Sequence, residues 1–423
     1  MTATQIKECK CTKDRTQPKL GFGVNCALHS RLEQKGQFVC YSKISTSLTW
    51  SFGKLKPMQR PLPDEVIRVL SFSAITVAQG ASLRAMSEEE AHQKSMADSA
   101  WLEELQLPQV LISERVRSLH ATIEQEWDYL RRSACQTAAG RALWNHVIHD
   151  PMAAVLAGES YLRNLHEKMR QDRLSNAREV SGVILAVRTL WFDSRIEAAI
   201  NSFGDRGAHQ VVLLGAGMDA RAYRLSCLKE SIVFEVDFPE LLHTKASLLK
   251  EMMASSKDQP IVMIAKSLVR VAADLREADW IEELQKRGFV PTRNTVWVLE
   301  GILYYLSHLH AMQVLEVIAA NCTSTHTVLL ADFMNKSSVS LSNSTFHFYS
   351  DWPDHLLPTL GYCHVKLSQI GDPDAHFGLL HDPQNLFNKL RSLPRSMETH
   401  PEDGTPCRRL YLVEASGGPS QDS

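Results

Sequence analysis

The run Gln210-Val211-Val212-Leu213-Leu214-Gly215-Ala216-Gly217-Met218-Asp219 writes a buried strand, a tight glycine turn and a helix start in one line. Four apolar residues bounded by turn signals predict a strand covered on both faces of a parallel sheet. The missing Cβ of Gly215 and Gly217 lets a ligand approach the backbone, and the N–H groups of the helix that follows would point at it. That is chemistry for seating a nucleotide-like cofactor. A second strand, Ser231 to Asp237, ends in a carboxylate suited to gripping a ribose diol. A third apolar stretch, Leu268 to Ala273, runs into Asp274-Leu275-Arg276, and a fourth, Thr295 to Leu299, into Glu300-Gly301. Three successive strands thus carry an acid at their C-terminal ends, the edge where open α/β sheets bind ligands.

Each of these residues also has an ordinary structural role. Gly215 to Ala220 satisfies the dinucleotide fingerprint with Ala in its last place, so the turn and Asp237 alone serve an NAD-dependent oxidoreductase equally well. An Asp after a strand commonly caps a helix or forms a turn, and Asp219 can simply cap the helix it opens. An Arg such as Arg188, on an amphipathic helix, is commonly a solvated residue or a surface ion pair.

The ordered set decides between them. His149-Asp150-Pro151-Met152-Ala153-Ala154-Val155-Leu156-Ala157-Gly158, Val187-Arg188-Thr189-Leu190-Trp191-Phe192-Asp193, Leu213 to Asp219, Glu235-Val236-Asp237, Asp274-Leu275 and Glu300-Gly301-Ile302-Leu303-Tyr304-Tyr305-Leu306 follow one another in this chain. In that order they resemble the leucine carboxyl methyltransferase family of S-adenosylmethionine-dependent O-methyltransferases, most closely its small-molecule branch. The match runs from about Cys135 to about Ala415. The resemblance implies an α/β fold, a Rossmann-like class I methyltransferase sheet with an N-terminal helical cap, and S-adenosyl-L-methionine as cofactor. It further implies that Arg188 clamps the cofactor carboxylate in a two-pronged, charge-assisted geometry. Gly215, Ala216 and Gly217 would lie along the methionine part and Asp237 would accept the ribose hydroxyls. Asp274 with the Leu275 backbone would read the adenine edge, and Glu300 would sit near the aminoacyl part or the reacting centre. A dehydrogenase has no need of Arg188, Asp274-Leu275 or Glu300-Gly301.

Methyl transfer from a sulfonium is an in-line displacement, so alignment of acceptor, methyl and sulfur is the main demand on the protein. A carboxylate acceptor needs no general base, whereas a hydroxyl benefits from one. The candidate bases, His308 and His310, follow Ser307, a good N-cap, and read as first-turn residues of a helix continuing through Leu315 and Ile318. Of Tyr304 and Tyr305, one is expected at the donor site and the other in the core. His146 and His149 lack metal-ligand spacing, and no metal site is expected. No residue is assigned as catalytic. The acceptor implied is a carboxylate or hydroxyl on a small metabolite or a protein C-terminus.

The elements that must position these residues occupy the later part of 423 residues. Residues 133–416 are expected to form the methyltransferase domain and 61–132 a helical extension, in which Ser113 caps a helix through Leu119, Ile123, Trp127 and Leu130. A fifth strand is expected at Thr327 to Phe333 and a last one at Arg408 to Glu414. The aromatic segment Lys336 to Trp352 lies where such folds insert substrate-binding elements. The family's usual Gly-Trp pair is absent around Leu386 to Pro394, and 417–423 reads as a polar tail.

Net charge is −2, and no basic stripe with interleaved aromatics points to nucleic acid. Near-neutrality conceals an asymmetry: residues 1–60 carry +8 and the remainder −10. Their Ser/Thr content and few acids suit a transit peptide or a disordered basic leader, hence an organelle (chloroplast or mitochondrion) or the cytoplasm. Nine scattered cysteines without a CxxC pair point to a reducing compartment. The apolar stretch Val66 to Ala81 is broken by Arg68, serines and Gly80, so no membrane span is expected.

Overall fold

In the computed structural model the described residues are 104–177, 179–204, 209–255, 261–321, 326–340, 345–380 and 410–417. The chain divides into two compact units, Met1–Ala85 and Met86–Ser423, and every described residue lies in the second. The basic leader, residues 61–103 of the expected helical extension, the Leu386 to Pro394 region and all but the first residue of the polar tail lie outside the described residues.

Seven strands form one sheet: β1 His209–Leu214, β2 Ser231–Asp237, β3 Ser267–Ala272, β4 Thr295–Leu299, β5 Thr327–Met334, β6 Cys363–Gln369 and β7 Leu410–Gly417. Their order is β3-β2-β1-β4-β5-β7-β6. Neighbours from β3 to β5 run parallel, and β7 lies antiparallel between β5 and β6. This is the α/β, Rossmann-like class I methyltransferase sheet that the resemblance implied. A dinucleotide-binding sheet in its 3-2-1-4-5-6 order inserts no strand between the fifth and the sixth.

Alternate strand residues serve two cores, because successive side chains point to opposite faces. Val211, Leu213, Val233, Val296 and Val298 pack with helices α1 Glu114–Glu126, α2 Tyr129–Leu143, α3 Glu159–Leu174, α4 Val183–Phe203 and α5 Pro239–Ser255. Val212, Leu214, Phe234, Trp297 and Leu299 pack with α6 Trp280–Lys286, α7 His308–Ala320 and the short helix Pro353–Thr359. Every residue of β1 and β4 is buried, as the apolar runs predicted. Asp237, Asp274, Glu300 and Asp332 all fall at or just past the C-terminal ends of parallel strands or late within one.

Three local expectations are corrected. The single helix expected from Ser113 through Leu130 is two: Ser113 caps α1, the chain turns extended at Trp127, and the Asp128 carboxylate accepts from Arg131 N–H to cap α2. A polar side chain that offers a cap competes with helix continuation, and Trp127 gains burial by the turn. The helix after the glycine turn is one short piece, Arg221–Arg224, and its Arg221 N–H is taken by Asp219 Oδ1 at 2.6 Å. It offers no row of free N–H groups to a ligand. The last strand begins at Leu410 and runs to Gly417, and β6 was not foreseen.

One buried charge cluster ties the layers together. Glu235, in the middle of β2, accepts from Lys245 of α5 at 2.8 Å and from Arg270 of β3 at 3.0 Å, with both Lys245 and Glu235 fully buried. Removing one member of such a pair leaves a buried charge short of a partner. Lys245→Met is therefore expected to lower the unfolding free energy by about 3 kcal/mol. Urea unfolding followed by circular dichroism measures it, and an unchanged midpoint would mean that Arg270 alone satisfies Glu235.

Candidate active site

The strand order reverses between β1 and β4, and a pocket opens there, beyond their C-terminal ends. This is the switch point where open α/β sheets bind ligands. Its floor is the turn Gly215-Ala216-Gly217, its sides are Asp237, Phe238, Glu300, Gly301 and Tyr304, and α2 covers it with Leu130, Ser133, Ala134 and Thr137. Gly215 stands at φ +67°, and a Cβ there would lie 2.8 Å from the Ile302 side chain. Only glycine accommodates both the angle and the approach of the β4 loop.

Arg188 projects from α4 across the ends of β4 and β5. Its Nε donates to Glu300 Oε1 at 3.1 Å, and its Nη1 donates to Tyr304 Oη at 3.1 Å and to Asp332 Oδ2 at 3.2 Å. Nη2 has no hydrogen-bond partner among the described residues, while Arg188 lines the pocket. Burial opposes the guanidinium charge, but Tyr304, Asp332 and Glu300 outweigh it and hold the pKa above its ordinary value. Burial raises the Asp332 carboxyl to about 6 against the pull of Arg188 and the Gly301 N–H. The same desolvation pushes Tyr304 and Tyr305 above the usual phenol range.

From Glu300 the charges continue inward. Its Oε2 accepts from Arg221 at 2.6 Å; Arg221 also donates to Asp193 at 2.7 Å and pairs with Asp219. Arg224 donates to Asp193 at 2.6 Å, and Arg141 donates to Asp150 at 2.8 Å and to the Met218 carbonyl. Asp219 is thus both the turn residue the sequence allowed and an ion-pair partner. Burial penalises its charge, yet Arg221 chiefly drives its pKa down to about 2.

Asp237 closes the other side of the pocket. Its Oδ2 accepts from Gly217 N–H at 2.7 Å and its Oδ1 from Phe238 N–H at 2.7 Å, so it ties the end of β2 to the glycine turn. Burial raises its pKa against those two donors. Each oxygen retains a second lone pair for a ligand hydroxyl.

Of the residues singled out in the sequence, Arg188, Gly215, Ala216, Gly217, Asp237 and Glu300 line this pocket. Asp274 and Leu275 do not. Asp274 holds Arg276 through both oxygens at 2.9 and 3.0 Å, and the Leu275 side chain is buried in the core. Both tyrosines line the pocket, where one was expected in the core alone; their rings pack on Phe346 at 4.6 and 5.0 Å. Phe348 of the same aromatic segment is a core residue. His308 and His310 open α7 behind the Ser307 cap, outside the pocket lining. Among the described residues no cluster could hold a metal ion, and no helix is long and apolar enough to cross a membrane.

Sequence reasoning missed Asp332, Arg221 and Arg141. Asp332 carried the signal used for the others, an acid near a strand end, but the two arginines carried none, since nothing local marks a charged helical residue as buried.

Against known proteins, residues 134–319 match the leucine carboxyl methyltransferase family. A protein of Mycobacterium sp. (strain JLS), provisionally named an S-adenosyl-L-methionine-dependent methyltransferase, is 35% identical over 195 residues, covering 43% of this chain and 60% of its own length. One from Mycobacterium leprae (strain TN), provisionally named in the same way, is 41% identical over 125 residues, 30% of this chain and 37% of its own. This chain therefore spans less than two thirds of the curated relatives it matches. Among solved structures, a DUF574 family protein from Streptomyces avermitilis aligns with a TM-score of 0.39 at 11% identity, covering 66% of this chain and 96% of that one. The segment that matches the leucine carboxyl methyltransferase family, 134 to 319, holds Arg188, the glycine turn, Asp237 and Glu300.

Proposed function

We propose that this protein is an S-adenosylmethionine-dependent O-methyltransferase whose acceptor is a carboxylate on a small metabolite or a protein C-terminus. The observation that carries the cofactor is the pair Arg188 and Asp237 on opposite sides of the glycine turn in one pocket. With Nε and Nη1 taken by Glu300, Tyr304 and Asp332, the two-pronged clamp expected of Arg188 reduces to its Nη2 arm, which suits one oxygen of the aminoacyl carboxylate through a charge-assisted bond. The free lone pairs of Asp237 suit the ribose diol, with Gly215, Ala216 and Gly217 between them. Glu300 belongs to the aminoacyl end through its bond to Arg188. Asp274 and the Leu275 backbone would read the adenine once the Asp274 carboxylate shares its bond to Arg276. The curated relatives' names agree with this cofactor. A nicotinamide dinucleotide fits less well, because a single helical turn with its first N–H occupied gives little to hold a pyrophosphate.

The choice of a carboxylate rests on the bases the pocket offers. Its described lining holds no histidine. Tyr304 and Tyr305 are held protonated by burial, Asp219 is locked to Arg221 with its pKa near 2, Glu300 is held by Arg188 and Arg221, and Asp237 is given to the ribose. Such a site orients an acceptor that is already nucleophilic and excludes water. Orientation of this kind supplies roughly 7–11 kcal/mol. When bound, the sulfonium cofactor supplies the activated methyl group.

Two measurements bear on this. Arg188→Ala and Asp237→Ala should each weaken S-adenosylmethionine binding by on the order of 1.5–3 kcal/mol, about ten- to a hundredfold, with His308→Ala unaffected. Calorimetry on folded variants reads this, and wild-type affinity in Asp237→Ala would make that carboxylate a turn residue only. Secondly, radiolabelled methyl transferred to acceptors in a cell extract should be released as volatile methanol by mild alkali, as esters are. Alkali-stable label on oxygen would shift the acceptor to a hydroxyl.

A further inference from the structure

The guanidinium of Arg188 approaches the pocket in one orientation, and the group that fixes that orientation from behind is Asp332. It lies near the end of β5, is fully buried, and makes two bonds in different directions. Oδ2 accepts from Arg188 Nη1 at 3.2 Å, and Oδ1 accepts from the Gly301 backbone N–H at 2.7 Å. The second bond holds the β4 loop at the place where Gly301 touches the guanidinium: Gly301 stands at φ +73°, and a Cβ there would lie 3.2 Å from Nη1, Nη2 and Tyr304 Oη. The loop backbone thus forms a wall against Arg188, and Asp332 holds both wall and arginine. With Nε on Glu300 and Nη1 on Tyr304 and Asp332, only Nη2 is left to meet a ligand.

We infer that Asp332 is a positioning residue for the aminoacyl end of the cofactor: it acts through Arg188 and the Gly301 loop and touches no ligand itself. This rests on the S-adenosylmethionine reading of the pocket. Its consequence is selective. A ligand that carries the aminoacyl carboxylate depends on Asp332, and one that shares only the adenosine and thioether does not. Buried ion pairs add little net stability, so a carboxylate fully removed from water behind an arginine is better explained by the geometry it imposes.

The test compares S-adenosylhomocysteine with 5′-methylthioadenosine, which lacks the amino-acid arm, by calorimetry on wild type and Asp332→Asn. The expected result is a loss of about tenfold to a hundredfold for S-adenosylhomocysteine with 5′-methylthioadenosine unchanged. Tyr304→Phe, which keeps the ring and removes one Nη1 partner, should show a smaller loss of the same selective kind. If Asp332→Asn does not fold, Asp332→Ser, which keeps an acceptor for the Gly301 N–H, is read in the same way. Wild-type affinity for both ligands would overturn the inference. So would equal losses for both, since a merely structural role lowers the two together. Failure of the unmodified protein to bind S-adenosylhomocysteine would instead overturn the cofactor reading, and the inference with it, before any variant is compared.

Discussion

The guanidinium of Arg188 joins three parts of the fold at one point: α4, the loop after β4 and the end of β5. A fully desolvated guanidinium is expensive unless its donors are met. Among the described residues, Glu300, Tyr304 and Asp332 meet Nε and Nη1, which leaves Nη2 as the unmet donor of a residue that lines the pocket. The glycine turn, the β4 loop and the tyrosines are arranged around that one group. Its partner Glu300 is in turn held by Arg221, whose bonds to Asp193 and Asp219 carry the charges into the core.

This arrangement divides the pocket into two chemistries. One side, around Arg188 and Glu300, is built of buried charges and suits a zwitterionic amino-acid group. The other, at Asp237 and Phe238, has one carboxylate whose pKa is raised by burial and suits a neutral diol beside a ring. The helix α2 lies over both and contacts the glycine turn through Ala134, which a Cβ on Gly217 would approach to 3.1 Å. A ligand must therefore be thin where it crosses the turn, as the chain between an amino acid and a ribose is.

Much of this was legible in the sequence, and the reasons are physical. Strands β1, β2 and β4 are buried on both faces, so apolar runs announced them, in β2 interrupted only by Glu235, and the acids at or just past their ends are local features. Strand β6 escaped because it is a sheet edge: Cys363, His364 and Lys366 are exposed, and half-solvated strands carry a weaker pattern. The helix predicted after the turn is present but short, and what its spacing did not reveal is that Asp219 takes its Arg221 N–H while the Arg221 side chain bonds Asp193. The roles of Arg221, Arg141 and Asp332 depend on partners distant in sequence, which no local spacing reveals. Asp274 shows the converse: a strand-end acid read correctly as such, whose bond to its neighbour Arg276 and place outside the pocket lining no spacing announced.

The most direct measurement is calorimetric titration of the purified full chain with S-adenosylhomocysteine and, separately, with NAD. The proposed roles of Arg188 toward a carboxylate and Asp237 toward a ribose predict saturable binding of S-adenosylhomocysteine and no heat with NAD. Saturable binding of NAD with no response to S-adenosylhomocysteine would contradict it.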